Sequence, residues 1–355
     1  MTTPAPAAAS WPSVSTFPPT ALSVVIPVYN EETWIGRSLA AVLDAGDRAG
    51  LQIEAVVVND GSTDSTAKVV QEIAMSDPRV RLVSQANAGR MAARLTGAGA
   101  AHHPWMLLLD ARVIVEPDAL RWLVEHAPTE ARVWCGHVEV ETRGNLPAAF
   151  WDALTRIGWR TYLRSPRMVS FGADDFDLYP KGTTALLIER DYFTHLAESF
   201  ESLYDVQHLA SDDTRLLRRA ASERRIWLSP DFSFTYHGKS GIRGFRRQAY
   251  FRGTTFVDSY LGQSRPLTIA LLGATGVGFA LAVTAIVKPA IGLPALALAW
   301  AAVPAAVAAS GGRPRHVLAA AVMTPPFVAL FGAGVLRGYG LAARAALRTR
   351  SSRTS

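Results

Sequence analysis

The chain has a single cysteine, Cys135, in 355 residues. That excludes an intrachain disulfide and any cysteine-based metal cluster, and it fits a reducing compartment. No Gly-x-Gly-x-x-Gly follows the first apolar run and no Walker lysine loop is present, which argues against dinucleotide dehydrogenases and P-loop enzymes. The start of the chain has neither a basic n-region nor an apolar h-region. Residues 1–20, rich in Ala, Pro, Ser and Thr, are therefore expected to be a disordered lead-in and not a signal peptide. Charge is also scarce in one long stretch, residues 267–336.

What is present divides into two physically different parts. The net charge is +6, and part of the excess sits just before the apolar stretch. Lys239, Arg243, Arg246, Arg247, Arg252 and Arg265 cluster there, with Asp258 as the only carboxylate among them. Basic residues beside a membrane span face the cytoplasm and anionic headgroups. The chain shows no nucleic-acid module, so membrane lipids and not nucleic acid are the expected partner of this charge.

Three segments are apolar enough to cross a bilayer core of roughly 30 Å. They are Leu267 to Val287, Ala290 to Ser310, and Val317 to Leu336, the last with Pro325-Pro326 at its middle. Charge and hydropathy disagree about the number of crossings. If segment 239–265 is cytoplasmic, two crossings return Arg313 and Arg315 to the inside. A third would place Arg344, Arg348, Arg350 and Arg353 outside, against the positive-inside bias. Either the third segment re-enters at the proline pair or the bias is broken.

Residues 1–265 read as soluble. Leu22 to Val28 is an apolar run ended by Tyr29-Asn30-Glu31, and Ile53 to Val58 is another, stopped by Asn59-Asp60-Gly61-Ser62. Val80 to Val83 and Trp105 to Leu109 follow, with helical spacing between the runs. Near-continuous apolar strands alternating with helices predict a doubly wound, mostly parallel sheet. Strands are expected again at 133–140, 185–188 and 225–228, and a helix at 212–221.

In such sheets ligands bind beyond the carboxyl ends of the strands. Asp60 and Asp110 stand there. Ser62, Thr63 and Asp64 suit a helix N-cap, which leaves Asp60 for a ligand.

The motifs together are specific. Val24-Val-Ile-Pro-Val-Tyr-Asn-Glu-Glu32 and Val56-Val-Val-Asn-Asp-Gly-Ser-Thr-Asp-Ser-Thr66 resemble the opening of family 2 glycosyltransferases of the GT-A fold. The similarity continues through Asn87-Ala-Gly-Arg90 to Arg94, Leu107 to Arg112, Lys181 to Thr184, and Ser211 to Leu216. The resemblance implies a Rossmann-like α/β catalytic domain over residues 21–235. A basic juxtamembrane segment (236–266), two to three transmembrane helices (267–340) and a basic tail (341–355) would follow.

The resemblance also implies roles. Pro27, Tyr29, Glu31 and Asp60 would hold the nucleoside of a nucleotide-sugar donor, most often UDP-linked, with Arg90 beside them. Asp110 matches the first Asp of the Asp-x-Asp motif that carries a divalent cation, Mg2+ or Mn2+, on the donor diphosphate. The second Asp is replaced by Arg112, which is suited to contact phosphate itself. His237 is the candidate outside metal ligand. Asp213 would be the general base, with Asp212 in the position of the family's Glu. Arg247 and Arg252 would hold a diphosphate or a lipid phosphate, and the competing role for them is headgroup contact.

The expected function is an inverting, multi-pass membrane glycosyltransferase with a cytoplasmic catalytic domain and a lipid-linked or envelope-polysaccharide acceptor. The alternative is a catalytically inactive GT-A-fold membrane protein that binds nucleotide or a partner. A synthase with its own translocation channel is disfavoured by so few spans.

Overall fold

A computed structural model describes residues 15–198, 212–262 and 265–351, without the side chains of 212, 213 and 348–351. The chain opens with a strand, β1 (Ala21–Val28), then α1 (Ile35–Arg48), β2 (Gln52–Asp60), α2 (Thr66–Ser76), β3 (Val80–Gln85), α3 (Arg90–Ala100) and β4 (Trp105–Leu109). β1, β2, β3 and β4 pair in parallel, in the order β3-β2-β1-β4. Their apolar runs are continuous because helices cover both faces. Alternate residues of one strand feed opposite layers. Val24, Ile26 and Val28 pack with Leu39 and Val42 of α1, whereas Val25 packs with Ala93 and Ala98 of α3.

The second half is mixed. It contains β5 (Val113–Val115), α4 (Ala119–His126), β6 (Val133–Val140), α5 (Leu146–Gly158), α6 (Arg160–Leu163), β7 (Val169–Phe171), β8 (Ala185–Glu189) and α7 (Arg190–Glu198). After them come α8 (Asp212–Glu223), β9 (Ile226–Tyr236) and α9 (Ile242–Tyr260). β8 is antiparallel to both β4 and β6, while β6 and β9 are parallel. β5 and β7 are each antiparallel to β9. The sheet is thus a mixed one whose parallel character is concentrated in its first four strands.

Residues 15–20 correct the expectation of a disordered lead-in reaching to residue 20. Phe17 is buried with its ring 4.8 Å from that of Trp105. The Trp105 indole N–H donates to the Thr16 carbonyl at 3.1 Å, and Arg132 donates to the Ser15 carbonyl at 2.9 Å. An aromatic anchor with satisfied backbone partners offsets the entropy of ordering a short segment.

Three apolar helices complete the chain: α10 (Arg265–Val287), α11 (Pro289–Ala309) and α12 (Pro314–Ser351). All three are long and apolar enough to cross a membrane. α12 does not stop near 340, so the segment expected as a separate basic tail begins inside a continuous helix.

Candidate active site

The parallel register brings the ends of β1, β2 and β4 to one edge. Val28 is the partner of Asn59, and Val25 of Leu108. The turns after these strands therefore face one another. Asn30, at a φ of 56°, donates its N–H to Ser62 Oγ at 3.0 Å and accepts the Thr63 N–H at 2.8 Å. The Glu31 N–H donates to Thr66 Oγ1 at 2.8 Å, and the Ser65 N–H donates to Glu32 at 2.8 Å. Ser62, Thr63 and Asp64 thus spend their polar groups on lacing two turns together, and Asp64 also accepts the Thr66 N–H at 3.0 Å. Gly61 is required where it stands. Its φ is +72°, and an added Cβ would lie 2.8 Å from the Asn87 nitrogen.

The edge holds a cleft of about 260 Å³. Pro27, Val28, Tyr29 and Glu31 line it from the first turn, Asp60 from the second, and Arg90 with Ala93 from α3. Asp110, Ala111 and Arg112 come from the turn after β4, and Tyr236 and Lys239 from the end of β9. Seven of the residues expected to bind donor, Pro27, Tyr29, Glu31, Asp60, Arg90, Asp110 and Arg112, are therefore brought together.

Asp60 has a structural task there. One oxygen accepts from Gln85 Nε2 and the Ala88 N–H, both at 2.8 Å, and the other accepts the Gly89 N–H at 2.9 Å. The carboxylate thus holds the turn that opens α3, and with it Arg90. Asp110 Oδ1 lies 3.3 Å from Nη2 of the buried Arg94. Arg112 Nε lies 2.7 Å from Glu31 Oε2, close in distance but not aligned as a hydrogen bond, and Lys239 Nζ is 3.6 Å from the other Glu31 oxygen. Burial, with Asp110 adding to it, raises the Tyr236 hydroxyl's pKa, against Arg252 and Arg112, and keeps it a donor.

These residues do not fit a protein-built cage for a divalent cation. Among the described residues no group of three or more His, Cys, Asp or Glu side chains is placed to hold a metal. Asp110 and Glu31 already face guanidinium or ammonium groups, and hard cations need several oxygen ligands.

His237 is not among the lining residues of the cleft. Its ring stacks on Trp34 at 4.3 Å, and the His237 backbone N–H donates to the Arg112 carbonyl at 2.9 Å. Burial together with Arg37 and Arg112 lowers its pKa, which favours the neutral ring. Arg247 and Arg252 lie on α9, also outside the lining. Arg247 is exposed, and Arg252 sits 4.4 Å over the Trp151 ring. The side chains of Asp212 and Asp213 lie outside the described residues; their backbone begins α8. That helix is tied at Arg215, whose Nε donates to the Asp258 carbonyl at 2.8 Å, and at Arg218, 3.0 Å from Asp177.

Arg94, Tyr236 and Lys239 were not anticipated at the cleft. The signal for Arg94 was its helical spacing from Arg90, which puts both on one side of α3. No local pattern places Tyr236 and Lys239. They arrive through the antiparallel pairing of Val113 with Tyr236.

Residues 23–169 match the family described as glycosyl transferase family 2. This segment is similar to family 2 glycosyltransferase domains. The succinoglycan biosynthesis protein ExoO of Rhizobium meliloti (strain 1021) is 38% identical over 30% of this chain and 29% of its own length. An undecaprenyl-phosphate 4-deoxy-4-formamido-L-arabinose transferase of Edwardsiella ictaluri is 36% identical over 30% of this chain and 33% of its own length. The chain therefore matches a third or less of the length of these curated relatives. A solved mannosyltransferase, PcManGT from Pyrobaculum calidifontis in complex with GDP-Man and Mn2+, superposes with a TM-score of 0.53. It covers 88% of this chain and 89% of its own at 18% identity, a likeness of fold. The mixed sheet is thus of the GT-A type.

Proposed function

We propose that the chain is an inverting glycosyltransferase. It would move a sugar from a nucleotide-diphosphate sugar to a lipid-linked or envelope-polysaccharide acceptor at the cytoplasmic face of a membrane. The observation that carries the reading is the convergence of Arg90, Arg112 and Lys239 with Glu31, Asp60 and Asp110 in one cleft of a family 2 domain. The name of the Edwardsiella relative supports a lipid-linked acceptor.

In this reading Pro27, Tyr29 and Asp60 form the nucleoside wall, and a uridine nucleotide is the proposed donor class. The diphosphate lies over Arg90, Arg112 and Lys239. Arg112 and Lys239 exchange Glu31 for phosphate oxygens, which accept charge-assisted hydrogen bonds, bidentate ones from Arg112. Asp213 takes the proton of the acceptor hydroxyl as its oxygen attacks the anomeric carbon from the face opposite the departing diphosphate. The negative charge that develops on the leaving phosphate meets cations already in place, so little reorganisation is needed.

A thermal-shift panel of nucleotide sugars, with and without manganese, tests the donor assignment; stabilisation by UDP sugars is expected. Asp213→Asn is expected to abolish transfer and leave donor binding nearly intact, and retained turnover removes Asp213 as the base. One observation favours a second reading, in which the domain only binds nucleotide. Arg112, paired with Glu31, stands where the family's motif has its second Asp. Purified protein that binds a nucleotide sugar but neither transfers nor hydrolyses it would establish that reading instead.

A further inference from the structure

The three apolar helices have different surroundings. In α10 and α11 only 6% and 11% of the most apolar window is buried in the protein, against 28% in α12. The difference lies on one face of α12. His316, Ala319, Ala320, Met323 and Val335 are buried there. Ala319 and Met323 pack with Ala149 and Phe150 of α5 and with Phe245 and Ala249 of α9. His316 Nε2 lies 3.2 Å from Asp152 of α5. At Gly253 of α9 an added Cβ would sit 2.1 Å from the Phe331 carbonyl oxygen, and at Gly334 it would sit 2.2 Å from that of Tyr250. From His316 to Gly334, about 27 Å of helix at 1.5 Å per residue, α12 is clad by the protein.

The cladding helices are not membrane spans. α5 carries Asp152 and Arg156, and α9 carries Arg243, Arg246, Arg247, Arg252 and Asp258. α5 follows β6 and α9 follows β9, so both start at the catalytic sheet. Charges of this density are rare and costly in hydrocarbon. The face of α12 held alongside them is covered by protein and not by lipid.

The outer face of α12 is apolar. Leu318, Val322, Val328 and Leu336 form a stripe with exposures of 59%, 51%, 61% and 64%. It is continuous with the two other apolar helices, one near each end. Trp300 of α11 donates its indole N–H to the Ala321 carbonyl at 2.8 Å, and Thr275 of α10 meets the Tyr339 hydroxyl at 3.1 Å. Arg313 and Arg315 lie at one end of α12 and Arg337 and Arg344 towards the other. The stripe is the face of α12 that the protein leaves uncovered, with cations at both ends.

We infer that α12 lies along the membrane surface and does not cross it. Its apolar stripe rests on the acyl-chain boundary of the bilayer and its inner face carries α5 and α9. Only the α10–α11 pair enters the hydrocarbon, and the chain leaves and returns on one side. The arginines after Gly340 then lie on the side of the catalytic domain, which satisfies the positive-inside bias that three crossings would break.

The test uses the full chain. Green fluorescent protein and alkaline phosphatase are fused in turn after Ser355 in a bacterial host. Fluorescence without phosphatase activity at the C-terminus, the same response as an N-terminal fusion, is expected; phosphatase activity there overturns the inference. Single cysteines at Leu318, Val328 and Leu336 in a Cys135→Ala background, labelled with a fluorophore and quenched by nitroxide lipids, report depth. Equal shallow depths at all three are expected. A span would place Val328 deepest, near the bilayer centre, and that result also overturns it.

Discussion

Arg112 and Glu31 face each other at 2.7 Å across the cleft, so the arginine that replaces a metal-binding carboxylate is held by an anion of the protein itself. Glu31 also faces Lys239 at 3.6 Å. One carboxylate thus gathers two cations at the place where a diphosphate is proposed to lie.

This arrangement makes donor binding depend on the arginine. Arg112→Ala is expected to weaken nucleoside-diphosphate binding by about tenfold, the size of one charge-assisted contact. Titration calorimetry of the purified chain reads it. In the same experiment chelation with EDTA is expected to change wild-type affinity by less than about threefold, because the described cleft brings cations of its own. A larger loss with EDTA would restore the metal.

Lys181 should leave a pH signature. Burial pulls its pKa down to about 8, whereas an unfolded lysine titrates near 10.4. Between those values the unfolded chain holds a proton that the folded chain has released. Stability from this group therefore rises as pH climbs through the window and is lowest below pH 8. Lys181→Met removes the contribution. Relative to that variant, wild type is expected to gain stability from pH 7.5 to 9.5 in thermal unfolding; a constant difference would contradict the shift.

At the α9–α12 contact, backbone meets backbone. Gly253→Leu must push Phe331 away and is expected to destabilise by about 3 kcal/mol, at the upper end for overpacking. Gly278→Ala, where no atom lies within 4 Å, is the control and should change little. Equal melting temperatures for the two variants would refute the packing.

Asp152 lies 2.8 Å from Arg156 and 3.2 Å from His316. Removing this acid leaves the Arg156 guanidinium without its partner, so Asp152→Ala is expected to cost about 1–3 kcal/mol. Denaturant unfolding in detergent measures it, and a change under about 1 kcal/mol would show the cluster to be solvated.

The sequence reveals the parallel half of the fold because each of its strands is an apolar run closed by a polar turn, and Asp60 and Asp110 mark those turns. It also brings Pro27, Tyr29, Glu31, Arg90 and Arg112 to the cleft, since all sit within a few residues of a strand end. Tyr236 and Lys239 stayed hidden because β5 pairs with a strand more than a hundred residues away, and no local pattern encodes that pairing. Charge alone marks Arg252 as a phosphate contact, and the fold adds the aromatic face of Trp151 beneath it. Hydropathy treats α12 like α10 because it sums both faces of a helix. The protein's own helices cover one face, and only the fold distinguishes the two.

The tie between Arg215 and Asp258 has a consequence for reach. α8 begins with Asp212 and Asp213, Arg215 fastens it to α9, and α9 lies along α12 with no side chain between them at Gly253. If α12 rests on the bilayer as inferred, the backbone that begins α8 stands at a set altitude above the lipid, fixed by protein and not by the slack of a tether. With Asp213 as the proposed base, an acceptor hydroxyl lying too near the bilayer or too far from it would miss that helix start. The enzyme would then gauge how many sugars its lipid already carries as a yardstick does, by length, without reading any of them.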